Sequence, residues 1–526
     1  MRKTLFITIL LLCVILRFYK ITQVPISLNW DEVSNTYNAY SILKTARDEY
    51  GNFLPLANRS FDDYKPPAYM YFSVPVVWIL GISEFVARLP SAVFGTLTCI
   101  TIFFLTKKLT KSDAVSFASF FLLSITPWHV QFSRVGIEAN VGLSFVVLAF
   151  TSLFYAIDNY QNKYKNFVYI LISAISTAFT FYSYHAYRII VPTMIVLFYL
   201  VFRKKINQFP KKLILIYVFV ILGLVVPLFL ILPKQAFLNR FEATSQEVQK
   251  KGVDKSIVFI DQDLERSFFL GEFIHNMRIE IAKTYISNYL VHFNPNFLFL
   301  EGDSGLRHHV KNMGMLFLFQ LPFLAFGLYY FFQRFDKSKL FIISWLLIAP
   351  LGAIAGSEVP HAIRSYSMVI PLTIITSFGF VGLYKIIRYK QIYLSVFVFI
   401  IFLSTLMYFH EYFKDYPVYS ASLWQYQTRQ AVLVTKGLED RYNQITVDSG
   451  NIEQAYIFWL FYTKYDPVNY QNNGSKEGFG KYVFGNKPPS DKQSLFVTNN
   501  LPSDFVKLDT IYFPDGEKSL EIGSKL

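Results

Sequence analysis

Long apolar runs set the pattern of this chain. Eleven segments, at about 4–22, 86–106, 112–128, 139–157, 167–183, 189–202, 213–232, 313–332, 340–356, 366–386 and 391–409, are nearly free of charge. Each approaches the roughly 20 residues that a helix needs to cross a bilayer. Runs of this kind predict membrane helices. The loops between them alternate in charge. One set holds Lys107, Lys108 and Lys111; Lys163 and Lys165; Arg203, Lys204, Lys205, Lys211 and Lys212; Arg334, Lys337 and Lys339; and Lys385, Arg388 and Lys390. Basic loops face the cytoplasm. The pattern therefore predicts an all-α polytopic protein of the cell (plasma) membrane with about 11 transmembrane helices, a cytoplasmic N-terminus and an outer C-terminus.

One apolar stretch stands apart. Counting Ala68–Ile82 as a span would reverse every later loop and place the basic clusters outside. It is expected to lie along the outer interface or to re-enter, a level that suits its tyrosines and Trp78. At the other end, Met1-Arg2-Lys3 and the apolar run to Leu16 resemble a signal peptide. No small-residue cleavage site follows, and the run reads as an uncleaved first helix.

The predicted organisation is a transmembrane domain over 1–410, with outer loops at about 20–85 and 233–312, then an outer domain over 411–526. After Phe409 charges and turn residues become frequent. Tyr426–Tyr442 and Ile452–Tyr465 have helical spacing. Gln444–Asp448, Leu495–Thr498 and Phe505–Phe513 read as strands. That alternation predicts a small α/β domain. It has no glycine-rich phosphate loop, so nucleotide binding there is not expected.

Composition sharpens this picture. Hydrophobic residues make up 53% of the 526 and charged residues only 16%, below the roughly 25% of soluble proteins. The net charge of +14 sits in short loop clusters and forms no stripe, which argues against nucleic acid. Cys13 and Cys99 both lie in apolar runs and show no metal or redox spacing.

Chemistry-bearing residues gather in the outer loops. Asn29-Trp30-Asp31-Glu32 follows the first helix. Asn29 suits a helix cap with acidic residues in the first turn. A carboxylate at this level also suits a general base for an acceptor hydroxyl. Lys65, held extended by Pro66-Pro67, is placed to meet a lipid phosphate or to snorkel at the boundary. The short outer loops each carry one arginine: Arg134 with Glu138 nearby, Arg188 after His185, and Arg364 after His361. The longer loop Glu301–His309 adds Arg307, His308 and His309. The planar guanidinium suits phosphate; headgroup contact or structural ion pairing is the plainer role. His308 and His309 are adjacent, poor spacing for two ligands on one ion, and no HExxH occurs. The spans hold almost no charge, whereas coupled transporters keep ionisable groups near the midplane.

Taken together, NWDE at Asn29–Glu32, DYKPPAYMY at Asp63–Tyr71, EFVARLPSAVFG at Glu84–Gly95, SYHAYR at Ser183–Arg188 and LFLEGDSGLRHH at Leu298–His309 resemble bacterial GT-C glycosyltransferases of the protein O-mannosyltransferase and lipid A aminoarabinose transferase superfamily. The resemblance implies a GT-C fold and a donor sugar on a polyprenyl phosphate. It also implies inverting transfer that requires no cofactor, with a divalent metal as an option, and an active site under the outer loops. By position it makes Asp31 the base or acceptor-orienting group, Glu32 its partner, and Lys65 a donor-phosphate ligand. Arg134, Arg188, Arg307 and Arg364 are the further phosphate ligands expected, with Glu138, His308 and His185 as other site residues. The sugar-binding repeat domain of eukaryotic O-mannosyltransferases is missing from the large outer loop, which points to a bacterial type of acceptor. The expected function is transfer of a monosaccharide to an envelope acceptor (protein, lipid or glycan) on the outer face, with membrane lipid around the chain. A flippase of the same lipid-linked sugar, a non-catalytic envelope assembly protein and an oligosaccharide ligase are the rival readings.

Overall fold

The computed structural model describes residues 2–61, 63–158, 162–231, 234–333, 336–356 and 358–525, without the side chains of 231–244. Asp62 of the lysine–proline motif and Arg334 of one basic cluster lie outside the described residues.

The helices run in chain order: α1 (Arg2–Phe18), α2 (Trp30–Thr45), α3 (Ala68–Leu80), α4 (Glu84–Thr110), α5 (Asp113–Ile125), α6 (Pro127–Arg134), α7 (Glu138–Asp158), α8 (Lys163–Ser183), α9 (Tyr187–Ile206), α10 (Lys211–Ile231), α11 (Lys234–Glu265), α12 (Gly271–Ile274), α13 (Met277–Leu290), α14 (Gln320–Gln333), α15 (Lys337–Ile348), α16 (Val369–Ile386) and α17 (Lys390–His410). The C-terminal part adds α18 (Tyr416–Tyr419), α19 (Tyr426–Leu438), α20 (Ala455–Thr463) and α21 (Pro467–Asn473). A helix occupies each of the eleven expected segments. Among the described residues, six helices are long and apolar enough to cross a membrane by themselves: Glu84–Thr110, Glu138–Asp158, Lys163–Ser183, Lys211–Leu230, Tyr366–Ile386 and Lys390–Tyr419. The expected count of about eleven is therefore not reached by length and composition alone. The shortfall includes α5 and α15, 13 and 12 residues long. At 1.5 Å per residue they fall well short of the roughly 30 Å of bilayer hydrocarbon. The same arithmetic applies to α3. Its 13 residues reach about 20 Å, in keeping with a segment that does not span.

Contacts divide the chain into two compact units. The first holds 1–13, 96–131 and 142–404; the second holds 14–95, 132–141 and 405–526. The C-terminal residues thus share a unit with the first outer segment, where the sequence reading drew a boundary at 410.

The first unit is a helical bundle in which α14 packs on α16, α8 on α10, and α9 on α15. Phe154, Phe198, Phe202 and Phe341 pack edge-on or tilted with centroids 5.0–6.4 Å apart, and Trp345 extends the cluster. Two acids draw basic loops together. Asp113 pairs with Arg2 at 2.6 Å and Lys107 at 3.1 Å. Asp158 pairs with Lys108 at 3.0 Å and Lys205 at 2.6 Å. Two of the five basic loops, at 107–111 and 203–212, are thus tied by acids, the first also to the acid that pairs with Arg2.

The second unit is built on a hairpin of β1 (Asn58–Ser60) with β2 (Asp63–Lys65) and on a six-stranded mixed sheet. The sheet comprises β3 (Gln444–Val447), β4 (Gly478–Phe479), β5 (Tyr482–Phe484), β6 (Ser494–Thr498), β7 (Phe505–Tyr512) and β8 (Lys518–Lys525) in the order β4-β5-β3-β6-β8-β7. β3 runs parallel to β5 and β6, and the other pairings are antiparallel. The three expected strands and two expected helices all form. β4, β5 and β8 were not foreseen: the first two are only two and three residues long, and Lys518 and Glu521 interrupt the apolar pattern of β8. Val33 and Tyr37 of α2 join Ile457, Leu460, Val497 and Ile522 in one buried core. That packing fixes α2, and with it the acidic turn at Asp31.

Candidate functional site

The site in the second unit grows from the first turn of α2. Asn29 caps the helix: its side chain accepts from the Glu32 N–H at 3.0 Å, and Glu32 accepts from the Asn29 N–H at 3.0 Å. This reciprocal box satisfies two amide donors that a helix end leaves free. It also turns Glu32 inward and Asp31 outward.

Glu32 is wholly buried. Its second oxygen accepts from Arg88 Nε at 3.0 Å and from the Gly136 N–H at 2.8 Å. Gly136 sits there because a Cβ would come within 2.8 Å of the Ala87 carbonyl and 3.1 Å of Glu32. The other Arg88 nitrogens donate to Ile21 O at 2.6 Å, Pro25 O at 2.8 Å and Ser27 O. Arg134 does the same one step earlier in the chain. It donates to Leu16 O at 2.8 Å, Lys20 O at 3.3 Å and Val24 O at 2.9 Å, with the rings of Tyr412 and Phe413 within 5.5 Å of its guanidinium carbon. Two buried arginines thus collect the carbonyls of 16–27, a segment with too little regular structure to pair its own backbone.

Asp31, by contrast, is 39% exposed and pairs with Lys65, whose side chain is 14% exposed. Lys65 ends β2, and its ammonium lies 5.0 Å from the Phe61 ring. Glu138 accepts from Asn35 at 2.8 Å and interacts electrostatically with both Lys65 and Asp31. An accessible carboxylate, a half-sequestered ammonium and a second carboxylate therefore share one surface above a rigid buried layer. Such a set can hold a hydroxyl, take its proton and offer a cation to a phosphate.

A second cluster lies in the first unit. Asp303 accepts from His308 Nδ1 at 2.7 Å, from the Ala362 N–H at 2.7 Å and from the Gly305 N–H at 3.0 Å. Burial alone would raise its pKa; the charge and hydrogen bond of His308, with the Ala362 N–H, hold it down at about 2. The His361 ring lies 5.4 Å from that of His308. Burial, aided by the nearby Arg364 and His308, lowers the His361 pKa to about 3. His292 accepts from the His361 N–H at 3.2 Å, and burial lowers its pKa to about 4. His361 Nδ1 and Arg364 Nη1 are buried with no hydrogen-bond partner. An unpartnered buried guanidinium N–H is costly, and Arg364 would suit an anion. Among the described residues, no three His, Cys, Asp or Glu side chains are placed to hold a metal ion.

Asp31, Glu32, Lys65, Arg134 and Glu138 therefore come together in one unit, and His308 and Arg364 in the other. His185 and Arg188 contact each other at 3.0 Å, with Arg188 also donating to Phe181 O. The Arg307 backbone carbonyl accepts from Gln131. Two placements differ from expectation. Arg134 turns both terminal nitrogens to backbone carbonyls, because a guanidinium with no access to solvent must find acceptors within the protein. Glu32 is likewise spent on Arg88 and the cap. Sequence reasoning missed Arg88, Asn35, Asp303 and His361 as site-building residues. Arg88 carried a signal, a lone arginine inside an apolar helix.

Comparison with known proteins gives the context. Residues 64–231 match the family model described as dolichyl-phosphate-mannose-protein mannosyltransferase. Comparison with curated protein sequences finds no match. Among solved structures, ArnT from Cupriavidus metallidurans in the apo state is similar with a TM-score of 0.54 at 10% identity, over 99% of this chain and 98% of that one. ArnT bound to undecaprenyl phosphate gives 0.53, at 10% identity over 98% and 97%. An Archaeoglobus fulgidus oligosaccharyltransferase complexed with zinc and sulfate gives 0.50 at 12% identity over 86% of this chain. This chain spans only 61% of its length. The resemblance read from the motifs is borne out: residues 64–231 match the mannosyltransferase family model, and the chain is a multi-pass membrane protein with the GT-C glycosyltransferase fold.

Proposed function

We propose that this protein transfers a monosaccharide from a polyprenyl-phosphate carrier to an acceptor of the cell envelope, at the outer face of the membrane. The observation that carries the proposal is the Asp31–Lys65 pair, accessible at the start of α2 and backed by the buried Glu32–Arg88 layer. The family match over 64–231 and the likeness to ArnT, crystallised with undecaprenyl phosphate, support the donor class.

In this reading the donor phosphate draws Lys65 away from Asp31. The freed carboxylate orients the acceptor hydroxyl and takes its proton as the oxygen attacks the anomeric carbon. The bond from that carbon to the phosphate oxygen breaks, and polyprenyl phosphate leaves with its growing charge met by Lys65. Direct displacement inverts the anomeric centre. Arg364, with a terminal nitrogen buried without a partner, is a further phosphate-ligand candidate. Arg188 and Arg307, with His308 and His185, are the further ligand candidates. Glu32, Arg134 and Glu138 position the site. The residues described do not gather a ready metal site, and a bound divalent ion remains compatible with the donor chemistry.

The test is release of free polyprenyl phosphate by purified protein, from a panel of polyprenyl-phosphate monosaccharides with envelope extract as acceptor. Release abolished by Asp31→Asn and Lys65→Ala supports the transferase. Movement of the intact lipid across liposomes with no release would replace it with a flippase.

A further inference from the structure

The hairpin formed by α11 and α13 is built inside out. Its two helices pack mostly through small and polar residues: Ser245, Gly252 and Ser256 are buried on α11 beside Val248, and Glu280, Thr284 and Asn288 on α13. At Gly252 the approach is close enough that a Cβ would come within 2.7 Å of Ile281 Cα. Polar groups of the turn are also satisfied inside. Ser256 donates to His275 O at 2.5 Å, His275 Nδ1 meets Glu280 at 2.8 Å, and Lys283 closes on Glu280 at 2.6 Å. The apolar side chains point the other way. Phe268, Phe269, Leu270, Phe273, Ile274 and Met277 crowd the tip, with Phe269 88% and Phe273 78% exposed. Ile286 and Leu290 carry the exposed apolar surface along α13 into a groove they share with Val291 and Phe293.

A water-soluble hairpin would bury those aromatic side chains and expose the serines. The reverse arrangement, small and polar residues between helices with large apolar ones outward, is how helices pack when lipid surrounds them. Contiguous exposed apolar surface of this extent marks a membrane or partner contact. Chain continuity selects the membrane. α10 is the most apolar of the candidate spans, and only two residues separate its end at Ile231 from the start of α11 at Lys234. At the other end, Tyr289 of α13 donates to Leu347 O near the end of α15.

We propose that the tip of this hairpin, Ser267–Met277, and the adjoining face of α13 insert into the outer part of the lipid bilayer as an aromatic wedge. Basic and acidic residues are nearly balanced over 245–290. Insertion should therefore follow apolar burial and depend little on lipid charge.

The experiment uses the full chain in nanodiscs with one environment-sensitive fluorophore attached at Phe269→Cys or Phe273→Cys. The native Cys13 and Cys99 are buried, and unsubstituted protein reports any background labelling. Leu230→Cys in the span and Asp515→Cys in the turn between β7 and β8 serve as lipid and water references. Quenching of the 269 and 273 probes by spin-labelled lipid, close to that at 230 and equal in zwitterionic and anionic discs, is the expected result. Quenching no greater than at 515 overturns the proposal. Blue-shifted emission without lipid quenching, which signals burial against protein, overturns it too.

Discussion

The Glu32 carboxylate and the Arg88 guanidinium meet at 3.0 Å with both side chains wholly buried. The pair is locked from both sides. Glu32 also caps α2 and accepts the Gly136 N–H, and Arg88 also gathers three carbonyls from the segment after α1. Removing one member of such a pair strands a buried charge. Arg88→Met is expected to destabilise the protein by ~3–5 kcal/mol. Arg88→Lys should recover little of that, because one ammonium cannot reproduce the planar fork. Thermal unfolding in detergent reads both, and a melting temperature for Arg88→Met near the wild-type value would contradict the assignment.

Asp31 stands one residue earlier and faces solvent, outside this buried layer. Asp31→Asn should therefore leave the melting temperature unchanged. As loss of a general base, it should lower the rate of polyprenyl phosphate release by ~10²–10⁴-fold. Lys65→Ala should also lower release. Near-normal transfer by Asp31→Asn would remove this carboxylate from the mechanism.

Glu49 offers a stability test independent of catalysis. It is 3% exposed, hydrogen bonds with Asn38, and has one carboxylate oxygen without a partner. Burial, with help from neighbouring Asp48, raises its pKa to about 8 from an ordinary 4.5. The folded state therefore keeps the proton longer than the unfolded chain, so stability falls as pH rises from about 4.5 through about 8. Glu49→Gln should remove that decline. Melting curves at pH 5, 7 and 9 check it, and identical pH dependence in both proteins would refute it.

His361 works in the opposite direction. Its pKa in the fold is about 3, against an ordinary 6.5. The unfolded chain takes up the proton first as pH falls below 6.5, so stability is lost from there toward pH 3. Asp303, held at about 2 instead of 3.8, adds a further loss below pH ~4, where only the unfolded carboxyl is protonated. His361→Gln should make the decline between pH 6.5 and 4 shallower, leaving the part that His292, lowered to about 4, contributes over the same window, and should keep the limb below it. The same melts over pH 3–7 measure both effects, and a wild-type profile flat to pH 4 would exclude the buried neutral imidazole.

How much was legible follows from the range of each force. Helix positions could be read because a bilayer demands long uninterrupted apolar runs, and the basic loops showed which ends group together. The cap at Asn29 and the extended Lys65 before two prolines could also be read, since both are set by neighbours within a few residues. The roles of the arginines could not. Arg134 and Arg364 look alike in sequence, each a lone cation in a short loop. One turns both terminal nitrogens to the carbonyls of Leu16, Lys20 and Val24, and the other leaves a terminal nitrogen buried without a partner.

By itself, then, the sequence determined the membrane class, three strands and two helices of the C-terminal α/β part and the acidic turn that opens α2. These depend on local periodicity and on backbone rules acting over a few residues. The tertiary structure alone decided that Glu32 is buried and Asp31 accessible, that Arg88 ties α4 to the segment after α1, and that the α11–α13 hairpin turns its aromatic tip outward. Each of those outcomes depends on which distant polar groups meet in a buried, low-dielectric space, where an unpaired donor or charge costs more than local preference can supply.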